Sequence, residues 1–111
     1  MTRMSILLVE DDPLVARATA RLLRLRHEVT VAGGVAEALA ALAGRAFDVV
    51  VSDFDLGDGT GDEVLARAAE VQPAARRVLY SGVSCRGARF AQRVVQKPAT
   101  LEELDGALHA A

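Results

Sequence analysis

Short apolar runs alternate with segments of helical period along the whole chain, and that alternation restricts the possible folds more than any other feature. Strands joined by helical crossovers form one parallel sheet covered by helices on both faces. Met4–Val9 is too short for a helix and runs into Asp12-Pro13, an N-cap followed by proline at the first helical position. Leu14, Val15, Ala18, Leu22 and Leu25 then recur at helical spacing opposite Arg17, Arg21 and Arg24. They predict an amphipathic helix with those five as its apolar stripe, ending near His27. "EVTVA" (Glu28–Ala32) alternates and is β-branched, so it is expected as a strand. Gly33-Gly34 lead into a helix over Val35–Ala43, with Gly44 as its C-terminal glycine. The valines of "FDVVVSD" predict a strand buried on both faces.

A helix over Thr60–Val71, strands at "RRVLYSG" and "RVVQ", and a last helix opened by Thr100 with Glu103 three residues on complete the pattern. Gly106 weakens that last helix slightly. Only eleven residues, Gly82–Gln92, separate the last two strands, which leaves room for a turn or two of helix around Ser84–Phe90, interrupted by Gly87.

At 111 residues, 51% hydrophobic and 25% charged, the chain fits one soluble globular domain. A net charge of −2 gives no electrostatic support to nucleic-acid or anionic-membrane binding. The single cysteine, Cys85, forms no internal disulfide, fits a reducing compartment and is read as a packing residue. The apolar run of "MTRMSILLVEDD" is too short for a signal peptide, and nothing approaches a membrane span of about 20 apolar residues. A cytoplasmic protein is expected.

Ligands of open parallel sheets bind outside the carboxyl ends of the strands. There the chain leaves Glu10, Asp11 and Asp12 after the first strand, Asp53 and Asp55 after the third, Ser81 after the fourth and Lys97 after the fifth. Converged carboxylates hold either a shared proton or a cation, and a hard oxygen cluster on short loops suits Mg²⁺. Asp12 is set aside as a helix cap. Of thirteen basic residues twelve are arginine, so the lone lysine points to a site that wants a compact ammonium. His27 and His109 fall at helix ends and are read as solvated residues or partners of the helix dipole. Gly57, Gly59 and Gly61 match no phosphate-cradling pattern and are read as permissive loop residues.

In order, "LLVEDDP", "VVVSDFDLGDGTG", "VLYSG" and "QKP" resemble the motifs of bacterial response-regulator receiver domains, over essentially the whole length of the chain. The resemblance implies a single receiver domain, residues 1–111, and a flavodoxin-like three-layer sandwich. Its five-stranded sheet would have order 2-1-3-4-5, here with a shortened fourth helix. It also implies that Asp53 accepts a phosphoryl group from the phosphohistidine of a sensor kinase or phosphotransfer domain. Asp11 and Asp53 would ligate Mg²⁺ directly, Glu10 through water, and the Asp55 backbone carbonyl would complete the protein ligands. Lys97 would pair with Asp53 and then the phosphoryl group, and Ser81 would swing toward it. Such a protein is no enzyme beyond its own phosphorylation and dephosphorylation, and would be a monomer or a weak phosphorylation-dependent dimer.

Three positions depart from the family pattern. Val94 stands where the family usually keeps a switch aromatic. Gly57 replaces a common proline, as in receivers attached to hybrid kinases, and the segment before Lys97 is short. Two other readings compete: a degenerate receiver acting as an unphosphorylated scaffold, and a haloacid dehalogenase-type phosphatase, which "DFDLGDGT" also resembles. The second is disfavoured because Glu10-Asp11 precede the candidate nucleophile and only one helix follows Lys97.

Overall fold

Valines that cannot tolerate water on either side place Val49–Ser52 (β3) at the centre of a sheet, and every residue of that strand is buried. The computed structural model describes residues 3–82 and 88–109. The order along the chain is β1 (Ser5–Val9), α1 (Pro13–Leu23), β2 (Glu28–Ala32), α2 (Val35–Gly44), β3, α3 (Gly61–Val71), β4 (Arg76–Ser81), β5 (Arg93–Gln96) and α4 (Leu101–Leu108). All neighbours pair in parallel, and the sheet order is β2-β1-β3-β4-β5, the flavodoxin-like order expected. Successive strand residues point to opposite faces, so the sheet has two cores. Leu7, Val9, Val50 and Leu79 pack with α2 and α3, whereas Ile6, Leu8, Val51 and Val78 pack with α1 and α4. Register pairs Val9 with Ser52, Ser52 with Leu79, and Ser81 with Gln96, which brings the carboxyl ends of four strands to one rim.

The expected stripe on α1 is corrected. The residues facing the sheet are Ala16, Thr19, Ala20 and Leu23, while Leu14 is 73% and Leu25 72% exposed. Small side chains let the helix lie close to the sheet but score weakly as hydrophobic, so the larger leucines dominated the periodicity. The helix also ends at Leu23 rather than near His27.

Gly44 is corrected too: it closes α2 without a left-handed turn, since the described residues with positive φ are Gly57 and Gly59. The end of α2 is instead satisfied by the Gln72 amide, which donates to the Leu42 carbonyl at 2.9 Å and the Arg45 carbonyl at 2.7 Å. The same amide's oxygen accepts the Phe47 N–H at 2.8 Å. Of the helix expected around Ser84–Phe90, residues 83–87, Cys85 among them, lie outside the described residues, and 88–90 are not helical. Asp62 at the start of α3 accepts the N–H groups of Arg89 and Phe90.

His27 is the largest departure from expectation: it is buried, with 2% exposure. Its Nδ1 accepts the Met4 N–H at 3.1 Å, which assigns the proton to Nε2, and that nitrogen donates to Asp105 Oδ1 at 2.6 Å. Arg26 donates to the other oxygen at 3.1 Å, so α4 is fastened to the α1–β2 turn and the start of β1. His109 is exposed at the end of α4, as expected, 3.7 Å from Asp105. Burial raises the Asp105 carboxyl, but hydrogen bonds from His27 and Arg26 outweigh it and hold it below its usual range. A depressed native value stabilises the fold above the unfolded value near 3.8 and loses that contribution as the pH falls through the native one. The stability difference between the wild type and Asp105→Asn, read from urea midpoints, is therefore predicted to be constant near neutrality and to shrink on acidification below about pH 4.

Candidate functional site

The backbone ladders run past the formal strand ends and set the site. Glu10 donates its N–H to the Ala32 carbonyl at 3.0 Å, Asp53 to Val9 at 3.0 Å, and Lys97 to Ser81 at 2.8 Å. Each residue is thus the next rung of the sheet, and its side chain is aimed by a rigid element. Carboxylate oxygens of Glu10, Asp11 and Asp53 all lie within 4.8 Å of one another. Lys97 Nζ donates to Asp53 Oδ2 at 3.1 Å and also to Glu10 Oε1. The expected convergence of three acids and the lone ammonium is present.

The remaining oxygens are fixed by backbone donors. Asp53 Oδ1 accepts the Phe54 N–H at 2.7 Å, and Glu10 Oε2 accepts the Asp12 N–H at 3.2 Å. Asp12 itself caps α1, accepting from Leu14 and Val15, and takes the role assigned to it. Burial pushes the Glu10 carboxyl up, aided by the neighbouring Asp53 charge, against the pull of Lys97 and the Asp12 N–H. For Lys97, burial disfavours the ammonium, but the hydrogen bonds to Glu10 and Asp53 prevail and raise its pKa. The lysine is held cationic between its two partners.

Ser81 is buried at the end of β4 on the same rim. Asp55 is exposed in the loop after β3, where it forms an antiparallel bridge with Thr60. Gly61 is required for that loop to close: a Cβ there would stand 2.0 Å from the Asp53 carbonyl oxygen. Val94, in register with Leu79, is 54% exposed on the edge strand β5.

Two residues near the site went unnoticed in the sequence. Tyr80 carries the Lys97 ammonium 5.5 Å from its ring centroid, and its hydroxyl accepts the Ala99 N–H at 3.2 Å. The aromatic before Ser81 in "VLYSG" was the available signal. Asp58 accepts the N–H groups of Val35 and Ala36 at 2.8 and 3.1 Å, capping α2 from a distant loop. A cap supplied from another element leaves no local pattern to read.

Among the described residues the donor set is three carboxylates with no imidazole or thiolate, which fits a hard divalent cation such as Mg²⁺ better than zinc. Asp11 is exposed and, among the described residues, forms no ion pair, so its charge adds to the repulsion without relief. Asp11→Asn is therefore predicted to stabilise the metal-free protein by about 1 kcal/mol at low salt. The same substitution is predicted to abolish the rise in melting temperature that Mg²⁺ gives the wild type. Thermal melts with and without Mg²⁺ check both.

Comparison with known proteins agrees with this geometry. The family model of the response regulator receiver domain matches residues 6–109. The signal receiver domain of an HD domain-containing protein from Pseudomonas fluorescens Pf-5 is 28% identical, with a TM-score of 0.87 over 96% of this chain and 92% of that one. A response regulator from Burkholderia pseudomallei, solved with a phosphorylated aspartic acid, calcium ion and citrate, is 26% identical with a TM-score of 0.87, covering 96% of this chain and 66% of that one. Thermotoga maritima TrrA, in complex with Mg²⁺ and beryllofluoride, shares the fold at 23% identity and a TM-score of 0.85, over 95% of each chain. No curated protein matches significantly. No described helix is long and apolar enough to cross a membrane. The match sets aside the phosphatase resemblance. The chain belongs to the family of response regulator receiver domains, proteins of two-component signalling.

Proposed function

We propose that the chain is a single receiver domain acting in the cytoplasm, and that Asp53 accepts a phosphoryl group from the phosphohistidine of a sensor kinase or phosphotransfer domain. The observation that carries this reading is Lys97 Nζ bonded to Asp53 Oδ2 at 3.1 Å beside the Glu10–Asp11–Asp53 cluster. Phosphoryl transfer asks mainly for positioning and charge neutralisation. An Asp53 carboxylate oxygen attacks phosphorus in line, the P–N bond breaks, and the imidazole departs with the electron pair, leaving an acyl phosphate on Asp53. Lys97, already on the carboxylate, meets the incoming phosphoryl oxygens, and the Ser81 hydroxyl donates to one of them afterwards. A divalent cation held by Asp11, Asp53 and the Asp55 carbonyl, and by Glu10 through water, would add charge neutralisation there. The only bond chemistry assigned to the chain is on its own Asp53.

The exposed face of α1 supports a helical donor. Leu14, Ala18 and Leu25 follow one another along the outside of the helix, with the half-buried Leu22 at their edge, and open beside Lys97 into an apolar groove of about 450 Å³ that Tyr80 and Pro98 help to line. A phosphohistidine on a partner helix packed along this stripe would arrive at the rim where Asp53 stands. Arg17 and Arg21 flank the stripe and set its polar border.

Incubation with Mg²⁺ and acetyl phosphate or phosphoramidate is predicted to add the mass of one phosphoryl group, lost in Asp53→Ala. Absence of the adduct under every donor would assign the chain to unphosphorylated scaffolding instead. Leu14→Asp is predicted to slow transfer from a protein donor about ten-fold while leaving acetyl phosphate labelling unchanged.

A further inference from the structure

The loop after β3 is tied at both ends to elements of different function. At its near end it follows Asp53, and Gly57, with φ +74°, lies beside Asp11, where a Cβ would meet Oδ2 at an ordinary contact distance of 3.6 Å. At its far end Asp58 places both carboxylate oxygens on the first two amides of α2, Val35 at 2.8 Å and Ala36 at 3.1 Å. Gly34 occupies the N-cap position of α2 and has no side chain to do this. A Cβ on Gly34 would lie 2.7 Å from Asp58 Oδ1, so the helix has given up its own cap to admit the remote one.

The link between these ends is short and stiff. Leu56 donates its N–H to the Gly59 carbonyl at 3.1 Å and accepts from the Asp58 N–H at 2.7 Å, which fastens residues 56–59 into one turn. Gly59 abuts α2, since a Cβ on it would stand 2.8 Å from Val35 Cγ2. A displacement of the loop near Asp11 and Asp55 therefore reaches Asp58 with little slack to absorb it. Backbone hydrogen bonds from Val35 and Ala36 also hold the Asp58 carboxyl below its usual range, as a formed cap would. Val94, exposed on β5 and without an aromatic ring, offers no rotating side chain to report the site.

We propose that Asp58 is a positioning residue that couples the phosphoacceptor loop to α2, so that phosphorylation of Asp53 is reported at the N-terminal end of that helix. The proposal rests on the phosphoacceptor reading above. Coupling is reciprocal: if the phosphoryl group alters the cap, removal of the cap alters affinity for the phosphoryl analogue.

The test uses the full chain labelled with ¹⁵N, Mg²⁺ and beryllofluoride as the phosphoryl analogue, and three proteins: wild type, Asp58→Ala, and Asp58→Ala with Gly34→Ser. Gly34 has extended backbone, φ −178° and ψ −172°, which serine adopts freely, and Asp58→Ala clears the space its side chain needs. The double variant thus restores a local cap without restoring the tie. In the wild type, beryllofluoride is expected to shift the Val35 and Ala36 amide signals and change their hydrogen exchange. In the double variant those amides are expected to stay protected yet not respond, while analogue affinity changes about five-fold or more and Gly34→Ser does not bring it back. Beryllofluoride bound at Asp53 with silent Val35 and Ala36 amides in the wild type would overturn the coupling, whatever the variants do. A wild-type response in the double variant would overturn Asp58 as its route. Failure of the wild type to bind beryllofluoride at Asp53 would overturn the phosphoacceptor reading and the coupling with it.

Discussion

Carboxylates that repel one another converge at one rim of this sheet, with oxygens within 4.8 Å, and a single ammonium sits among them. The arrangement holds because each side chain sits where a sheet ladder fixes it: Glu10 beside Ala32, Asp53 beside Val9, Lys97 beside Ser81. The buried valines and leucines beneath stabilise the fold enough to carry this local conflict. Lys97 relieves only part of it, since it contacts Glu10 and Asp53 and leaves Asp11 without a cationic partner among the described residues. A site with surplus negative charge on fixed elements is suited to a cation.

The parallel sheet supplies the geometry at little further expense. Crossover helices carry the chain back between the first four strands and all neighbouring strands pair in parallel, so all five carboxyl ends point the same way and the loops that follow them share one surface. Ala16, Thr19 and Ala20 on the buried stripe of α1 let it pack close, while Leu14 and Leu25 are left exposed and Leu14 lines a groove that reaches Lys97. The loop after β3 depends on glycine at particular places: Gly57 for its positive φ and Gly61 for its closeness to the Asp53 carbonyl.

What could be read from the sequence followed from local rules. Strand limits at Glu28–Ala32 and Arg93–Gln96, the Asp12 cap and the Thr100–Glu103 capping box all appear in the structure as expected. The site residues were legible because strand ends are predictable and the sheet is parallel, so Glu10, Asp11, Asp53 and Lys97 had one rim on which to meet. Contacts between elements distant in sequence were not legible. His27 is buried because Asp105, 78 residues away, accepts its proton donor, and no periodicity near His27 encodes that. Asp58 caps a helix 23 residues upstream, and Gln72 closes the end of that same helix. The α1 stripe differs from the expected one because alanine and threonine carry little hydrophobic weight beside leucine, although Ala16, Thr19 and Ala20 are buried with Leu23 while Leu14 and Leu25 are exposed.

The most direct measurement is a crystal structure grown with Mg²⁺ and beryllofluoride. The metal is expected on Asp11, Asp53 and the Asp55 carbonyl, with beryllofluoride on Asp53 and within hydrogen-bond reach of Lys97. A metal bound elsewhere, or Lys97 turned into open solvent while the analogue sits on another residue, would contradict that placement.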